Sequence, residues 1–403
     1  MGSEIYFDNN ATTRLAPEAF EAMRPYLTDL YGNPSSIHTF GSQVGRQIEK
    51  ARESVADLLG ASDTVEVIFT SCGTEGDNAA IRGVLEANPD KHHIVTTQVE
   101  HPAVMGLCQH LEKRGYAVTW LSVDRDGLLD LEELKCSLRE DTALVSVMYA
   151  NNETGVIFPI EEIGEIAKSR GVFVHVDAVQ AAGKISLSMK NSPVDLLTIS
   201  GHKFHGPKGV GALYVKRGIT FRPLLIGGHQ ERRRRAGTEN VPGIVGMGKA
   251  AELAAATREE ETRRVGGLRD LLQKNLLARC SDAVANGART KRVPNTLNIS
   301  FERVDGESIL VLLDERGICA STGSACTAGS TEPSHVLRAM GVPAELIQGT
   351  VRFSLSRYNT EEEVRLVSDE MPRIVERLRG LSALGRAAAQ GGEQRVSSRS
   401  LLH

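Results

Sequence analysis

Short apolar runs rich in β-branched residues alternate with helix-like stretches through most of this chain, and that alternation restricts the fold more than any single motif. Candidate strands cover 65–70, 94–97, 117–121, 144–149, 172–177, 196–200 and 210–215, with helical patterns at 74–86, 102–114 and 160–169 between several of them. Pro102 and Pro159 suit a first helical turn, where a missing N–H leaves no bond unmade. Apolar strands separated by helices predict an α/β fold on a mainly parallel, seven-stranded sheet. Its catalytic loops are expected at the strand C-terminal ends.

The pattern changes after Val241. A helical stretch reaches Arg279, followed by a strand at 296–301, a helix near 306–316, a strand at 351–356 and an amphipathic helix over 360–378. This predicts a smaller α+β domain. The expected division is a large domain over 16–260 and a small one built from 1–15 with 261–380. Residues 383–403 are small and polar with no apolar period, and are expected to be disordered.

Charge excludes some functions. The 403 residues carry 47 basic and 51 acidic side chains, a net of -4, which points to neither a nucleic-acid nor a membrane partner. The one dense basic run, Arg232 to Arg235, is flanked by Glu231 and Glu239 and reads as a solvated or anion-facing loop. No segment approaches the roughly 20 apolar residues of a bilayer span, and no signal-peptide pattern is visible. The 6 cysteines are scattered without a C-x-x-C pair, as expected of reduced thiols in a cytoplasmic protein.

The chemistry concentrates at the strand ends. Ser200-Gly201-His202-Lys203 follows the apolar run 196–200, and its glycines fit neither a P-loop nor G-x-G-x-x-G. A lysine desolvated there can form a Schiff base, and Ser200 and His202 could hold the phosphate of the bound group. A surface lysine in a glycine-rich turn is the alternative. Asp177 ends the run 172–177, where a carboxylate needs a cationic partner such as a protonated pyridine nitrogen, or else caps a helix. A strand ending in Asp followed by a strand ending in Ser-x-His-Lys favours pyridoxal phosphate.

Other segments fit the same site. Gly73-Thr74 opens a helix after a strand and could cradle a phosphate, or Thr74 could be a plain cap. His101, just before Pro102, could stack on a ring, relay protons or cap the helix. Asn151-Asn152 offers amides in what could equally be an Asn/Gly turn. Apolar residues alternate with Arg352 and serines over 351–356, which reads as a half-buried strand with Arg352 on its polar face. Arg352 then either grips a carboxylate or points to solvent. Cys326 lies among glycines and serines near 321–332, a loop expected to be mobile. The alternative for such a thiol is burial as a small hydrophobe.

These segments, with Tyr6 to Thr13, Gly32 to Ser36, Arg235 to Asn240 and Gly323 to Thr327, resemble the cysteine desulfurases, and most of all their NifS-like branch. The likeness covers about residues 4–380. It implies the aspartate-aminotransferase fold (fold type I) and pyridoxal 5'-phosphate. It implies that Lys203 is the Schiff-base lysine, that Asp177 meets the pyridine nitrogen, that Gln180 bonds the ring hydroxyl and that His101 stacks on the ring and helps move protons. Gly73, Thr74, Ser200 and His202 are implied at the phosphate, joined by Thr238 of a neighbouring subunit in a homodimer. Asn152 is implied near the substrate carboxylate and Arg352 at it. Cys326 is implied to take sulfur from L-cysteine as a persulfide, leaving L-alanine, and to pass it to an iron–sulfur scaffold protein for nitrogenase maturation. No resident metal is implied, only a transient iron–sulfur contact through Cys326. A housekeeping sulfur donor, or another lyase or aminotransferase of this fold, is the alternative. Gly76 departs from the family's usual serine.

Overall fold

The structure, a computed structural model, describes residues 4–322 and 333–381. Twelve strands are present among them: β1 (Ile5–Tyr6), β2 (Val67–Thr70), β3 (His93–Thr97), β4 (Ala117–Leu121), β5 (Thr142–Met148), β6 (Phe173–Asp177), β7 (Leu196–Ser200), β8 (Gly211–Val215), β9 (Ala283–Asn286), β10 (Thr296–Phe301), β11 (Ile318–Cys319) and β12 (Thr350–Ser354).

The main sheet has seven strands in the order β2-β8-β7-β6-β5-β3-β4. β8 runs antiparallel to both of its neighbours, and all the other neighbours are parallel. All of these strands except the edge strand β4 are largely buried along their length, because helices cover both faces. Neighbouring residues therefore serve different cores. Leu197 joins Val44, Ile48 and Val174 on one face, and Leu196 joins Ile81, Val84 and Leu144 on the other.

A second body packs around the antiparallel sheet β12-β10-β9. Its core gathers Phe301, Leu313, Phe353 and Met371 with Ile5 and Phe7 from the start of the chain. β1 pairs in parallel with β11, Ile5 opposite Ile318. The helix Val241–Arg279 has 39 residues, about 58 Å at 1.5 Å per residue, and it serves both bodies. Its first part places Ile244, Met247 and Ala251 in the large core, and its last part places Val265, Leu272 and Leu276 in the small one.

Two expectations need correction. β12 is buried throughout rather than half-buried, because its polar face looks onto Asp8 and Asn152 instead of water. The basic run is only partly solvated. Arg232 and Arg233 are exposed, but Arg235 pairs with Glu75 at 2.9 Å and Arg234 donates to the Val65 carbonyl at 2.9 Å. Glu231 beside them is buried, receiving Arg52 at 2.6 and 2.9 Å and the Phe69 N–H at 2.9 Å. The expectations for Cys326 and for residues 383–403 lie outside the described residues.

Candidate active site

The C-terminal ends of the parallel strands converge on one cavity. β3 leads to Glu100-His101, β5 to the turn holding Asn152, β6 ends at Asp177, and β7 leads into Ser200 to Lys203. β2 leads into the helix Gly73–Ala87. The cavity, about 220 Å³, is lined by Gly73, Thr74, His101, Asn152, Asp177, Gln180, Ser200, His202, Lys203 and Arg352. Each was singled out in the sequence. Thr238 is exposed and does not line this cavity.

One part of the wall is built for an anion. The helix Gly73–Ala87 starts at Cys72 with no side-chain cap, which leaves its first N–H groups open, and Thr74 sits in its first turn. The Ser200 hydroxyl is buried with no partner among the described residues. A Cβ on Gly73 would come within 2.9 Å of Val179 Cγ2, so the backbone approaches the wall as closely as only glycine allows. Gly76 has a related cause: a Cβ there would lie 2.6 Å from Thr198 Cγ2, so the helix packs tightly on β7.

The rest of the wall is built for a cation and an amine. Asp177 is buried and accepts the Val179 N–H at 2.9 Å. Burial holds its carboxyl above the usual range, against the opposing pull of His101, the Val179 N–H and Lys203. Asp77 lines the same cavity, and burial with Asp177 nearby pushes it well up. Behind them Glu100 accepts from the Thr97 hydroxyl at 2.7 Å and the Met148 N–H at 3.0 Å, and burial raises it to about 8. A protonated ring nitrogen would meet the demand of these acids for positive charge.

The histidines are held neutral. His101 Nδ1 accepts the Ala103 N–H at 3.1 Å, so the hydrogen of the neutral ring sits on Nε2. Burial lowers its pKa, with Lys203 and His335 adding to the effect and Asp177 opposing it. Burial, then Lys203, brings His202 down to about 4, and its Nδ1 meets the Thr12 hydroxyl at 3.1 Å. Lys203 Nζ donates to the carbonyls of Asn10 at 2.5 Å and Ala11 at 2.9 Å.

Sequence reasoning missed the part played by the N-terminal segment. Asn10 and Ala11 line the cavity, and Asp8 pairs with Arg352 at 2.8 Å. The signal was the polar run Asp8-Asn9-Asn10 after an apolar pair, which a half-exposed loop would also carry. Asp77 was missed because a helix-borne acid two residues beyond Glu75 looks like an ordinary first-turn carboxylate.

The pattern of the family described as aminotransferase class-V matches residues 5–367. The chain belongs to the class-V aminotransferases. This class-V protein is 63% identical over 380 residues to a cysteine desulfurase of Trichormus azollae, covering 94% of this chain and 95% of that protein. It is 54% identical over 380 residues to the cysteine desulfurase NifS of Azotobacter vinelandii, covering 94% of each. Among solved structures it is similar to a NifS-like protein, with a TM-score of 0.88 and 42% identity, over 93% of this chain and 100% of that one. Its cofactor is pyridoxal 5'-phosphate. An open helix N-terminus beside an unpartnered serine, a buried acid and a lysine make a donor set that fits this group.

Proposed function

We propose that this class-V enzyme is a cysteine desulfurase that turns L-cysteine into L-alanine and carries the released sulfur as a persulfide on Cys326. The observation that carries the reading is the single cavity in which Lys203, Asp177 and Arg352 meet. Bound pyridoxal phosphate supplies an electron sink for the charge released at the substrate carbons.

The residues divide the remaining work. Gly73, Thr74, Ser200 and His202 hold the phosphate, Asp177 keeps a proton on the ring nitrogen, and Gln180 donates to the ring hydroxyl. Lys203 anchors the cofactor and moves the substrate α-proton. His101, stacked on the ring, presents Nε2–H for a proton relay. Arg352, with Asn152, holds the substrate carboxylate. The Cys326 thiolate attacks the substrate sulfur. An S–S bond forms, the C–S bond breaks with its electron pair going to carbon, and protonation there yields alanine.

The same reading extends to the assembly. The enzyme is a cytoplasmic homodimer in which Thr238 completes the phosphate site of the other subunit. Supporting this, Thr238 is exposed on the same loop as Leu225 and Ile226, which are also exposed. The large body spans 16–260, and the small one joins 1–15 to 261–380. Among the described residues no helix is long and apolar enough to cross a membrane. An iron–sulfur scaffold protein receives the sulfur, in nitrogenase maturation.

The test is product analysis. Enzyme supplied with L-cysteine and a thiol reductant should release alanine and sulfide in equal amounts. Cys326→Ala should keep the visible absorption of the cofactor and release neither product. Full sulfide release from that variant would reject the assignment of Cys326.

A further inference from the structure

The Gln180 amide is held between two groups with opposite demands. On one side lies the Asn10 backbone carbonyl, which can only accept, and Gln180 Nε2 donates to it at 3.0 Å. On the other side Lys184 Nζ donates to Gln180 Oε1 at 2.6 Å. Exchanging the amide nitrogen and oxygen would set two oxygens against each other at Asn10, so the orientation is fixed. Nε2 carries two hydrogens. Asn10 takes one, and the second is left for the cavity that Gln180 lines.

Lys184 does not line that cavity. It lies behind it, in a second hollow shared with Lys203, Glu261 and Arg357. Its Nζ also stands 3.4 Å from Asn10 Oδ1, and its backbone carbonyl accepts from the Thr262 hydroxyl at 2.9 Å. The charged groups facing it are Lys203, Arg352 and Glu261, the last paired with Arg357 at 2.8 Å. Burial, with Lys203 and Arg352 adding to it, pushes Lys184 well below the usual lysine range. The amine and the ammonium both have hydrogens to give, so the bond to Gln180 survives either state.

We propose that Lys184 is a positioning residue that, by engaging Gln180 Oε1, aims the remaining Gln180 N–H at the ring oxygen of the cofactor. The inference rests on the reading of Gln180 given under the proposed function. A donor at that oxygen favours its ionised form. Without Lys184 only the Asn10 carbonyl restrains the amide, the donor is misaimed for part of the time, and the bound chromophore holds its proton to higher pH.

The experiment is a pH titration of the visible absorption band of the holoenzyme. Wild type is compared with Lys184→Met, Lys184→Arg, Gln180→Leu and the double variant Lys184→Met/Gln180→Leu. Lys184→Met should move the midpoint up by about one unit. Lys184→Arg, which keeps a donor, should stay near wild type. The double variant should shift no further than Gln180→Leu alone. If Lys184→Met titrates like wild type while Gln180→Leu shifts, or if the two shifts add in the double variant, Lys184 does not act through Gln180 and the proposal is wrong. If Gln180→Leu itself titrates like wild type, the reading of Gln180 is wrong and the proposal goes with it. Should Lys184→Met not fold, Lys184→Ala is read in the same way.

Discussion

Asp8 and Arg352, near opposite ends of the chain, pair with Arg352 Nη2 2.8 Å from Asp8 Oδ1, and Arg352 lines the cavity. The same guanidinium donates from Nη1 to the Asn152 carbonyl at 3.0 Å, and its buried Nε has no partner among the described residues. These contacts hold the guanidinium in place for the carboxylate role proposed above. Lysine would keep the charge and lose the fork. Arg352→Lys should lower kcat/KM for L-cysteine about 100-fold, corresponding to about 3 kcal/mol of binding. The loss should fall mainly on KM, and the cofactor absorption should not change. Steady-state alanine release checks this, and a wild-type KM would remove Arg352 from the substrate site.

Glu100 gives a pH prediction with a definite sign. Burial raises it to about 8 in the folded chain, so folding favours its protonated form. That contribution is complete below the unfolded glutamate range and is lost as pH rises through about 8. His175, His202 and His205 are depressed to about 3, 4 and 4, chiefly by burial, so their contribution is already complete once pH exceeds about 6.5. Glutamine at 100 could still accept from Thr97 and Met148 without a buried charge. In the cofactor-free protein, Glu100→Gln should gain little in melting temperature over wild type near pH 5 and more near pH 8.5. Equal melting at both pH values would show that Glu100 ionises freely.

Gly76 is a packing prediction. With a Cβ set 2.6 Å from Thr198 Cγ2, Gly76→Ala should lose about 1–3 kcal/mol in urea unfolding. Thr198 is poorly able to move aside, because its hydroxyl lies 3.0 Å from His175 Nε2. Thr198→Ser keeps that hydroxyl and removes the obstructing methyl. The double variant Gly76→Ala/Thr198→Ser should therefore be more stable than Gly76→Ala. Simple additivity of the two losses would place the strain elsewhere.

Glu231 and Arg52 anchor the loop that carries Thr238. Both are buried, and Glu231 to Arg233 adopt left-handed backbone with φ of 44°, 56° and 64°. Glu231→Ala would leave Arg52 buried with only the half-exposed Glu49 as a carboxylate partner. The loss should be about 3 kcal/mol in equilibrium unfolding. If Thr238 serves the other subunit, cofactor retention on dialysis should weaken as well. Retention with unchanged stability would disconnect the ion pair from the loop.

Much of this was legible because the strands are short, apolar and separated by helices, and because a parallel sheet places its loops on one side. Lys203 and Asp177 could be expected on that side because Asp177 ends a strand and Lys203 follows one. Arg352 could not. An alternating run looks half-exposed when its polar face meets protein groups far away in sequence, and Asp8 is such a group. Asp77 and Lys184 were hidden for the same reason, since local spacing does not tell a buried charge from a solvated one. The fold of the basic run was also out of reach, because the ion pair between Arg52 and Glu231 depends on contacts across the molecule.

The pairing of β1 with β11 sets the order in which the protein can be completed. A ribosome delivers Ile5 first, and its partner Ile318 emerges only after the whole large sheet has been made. The first residues must wait, unmatched, through most of synthesis, and closing so long a loop is slow. Asp8 meets its partner only when Arg352 has been made. A nascent chain can therefore hold a finished sheet and still have no complete active site until its last helices are released.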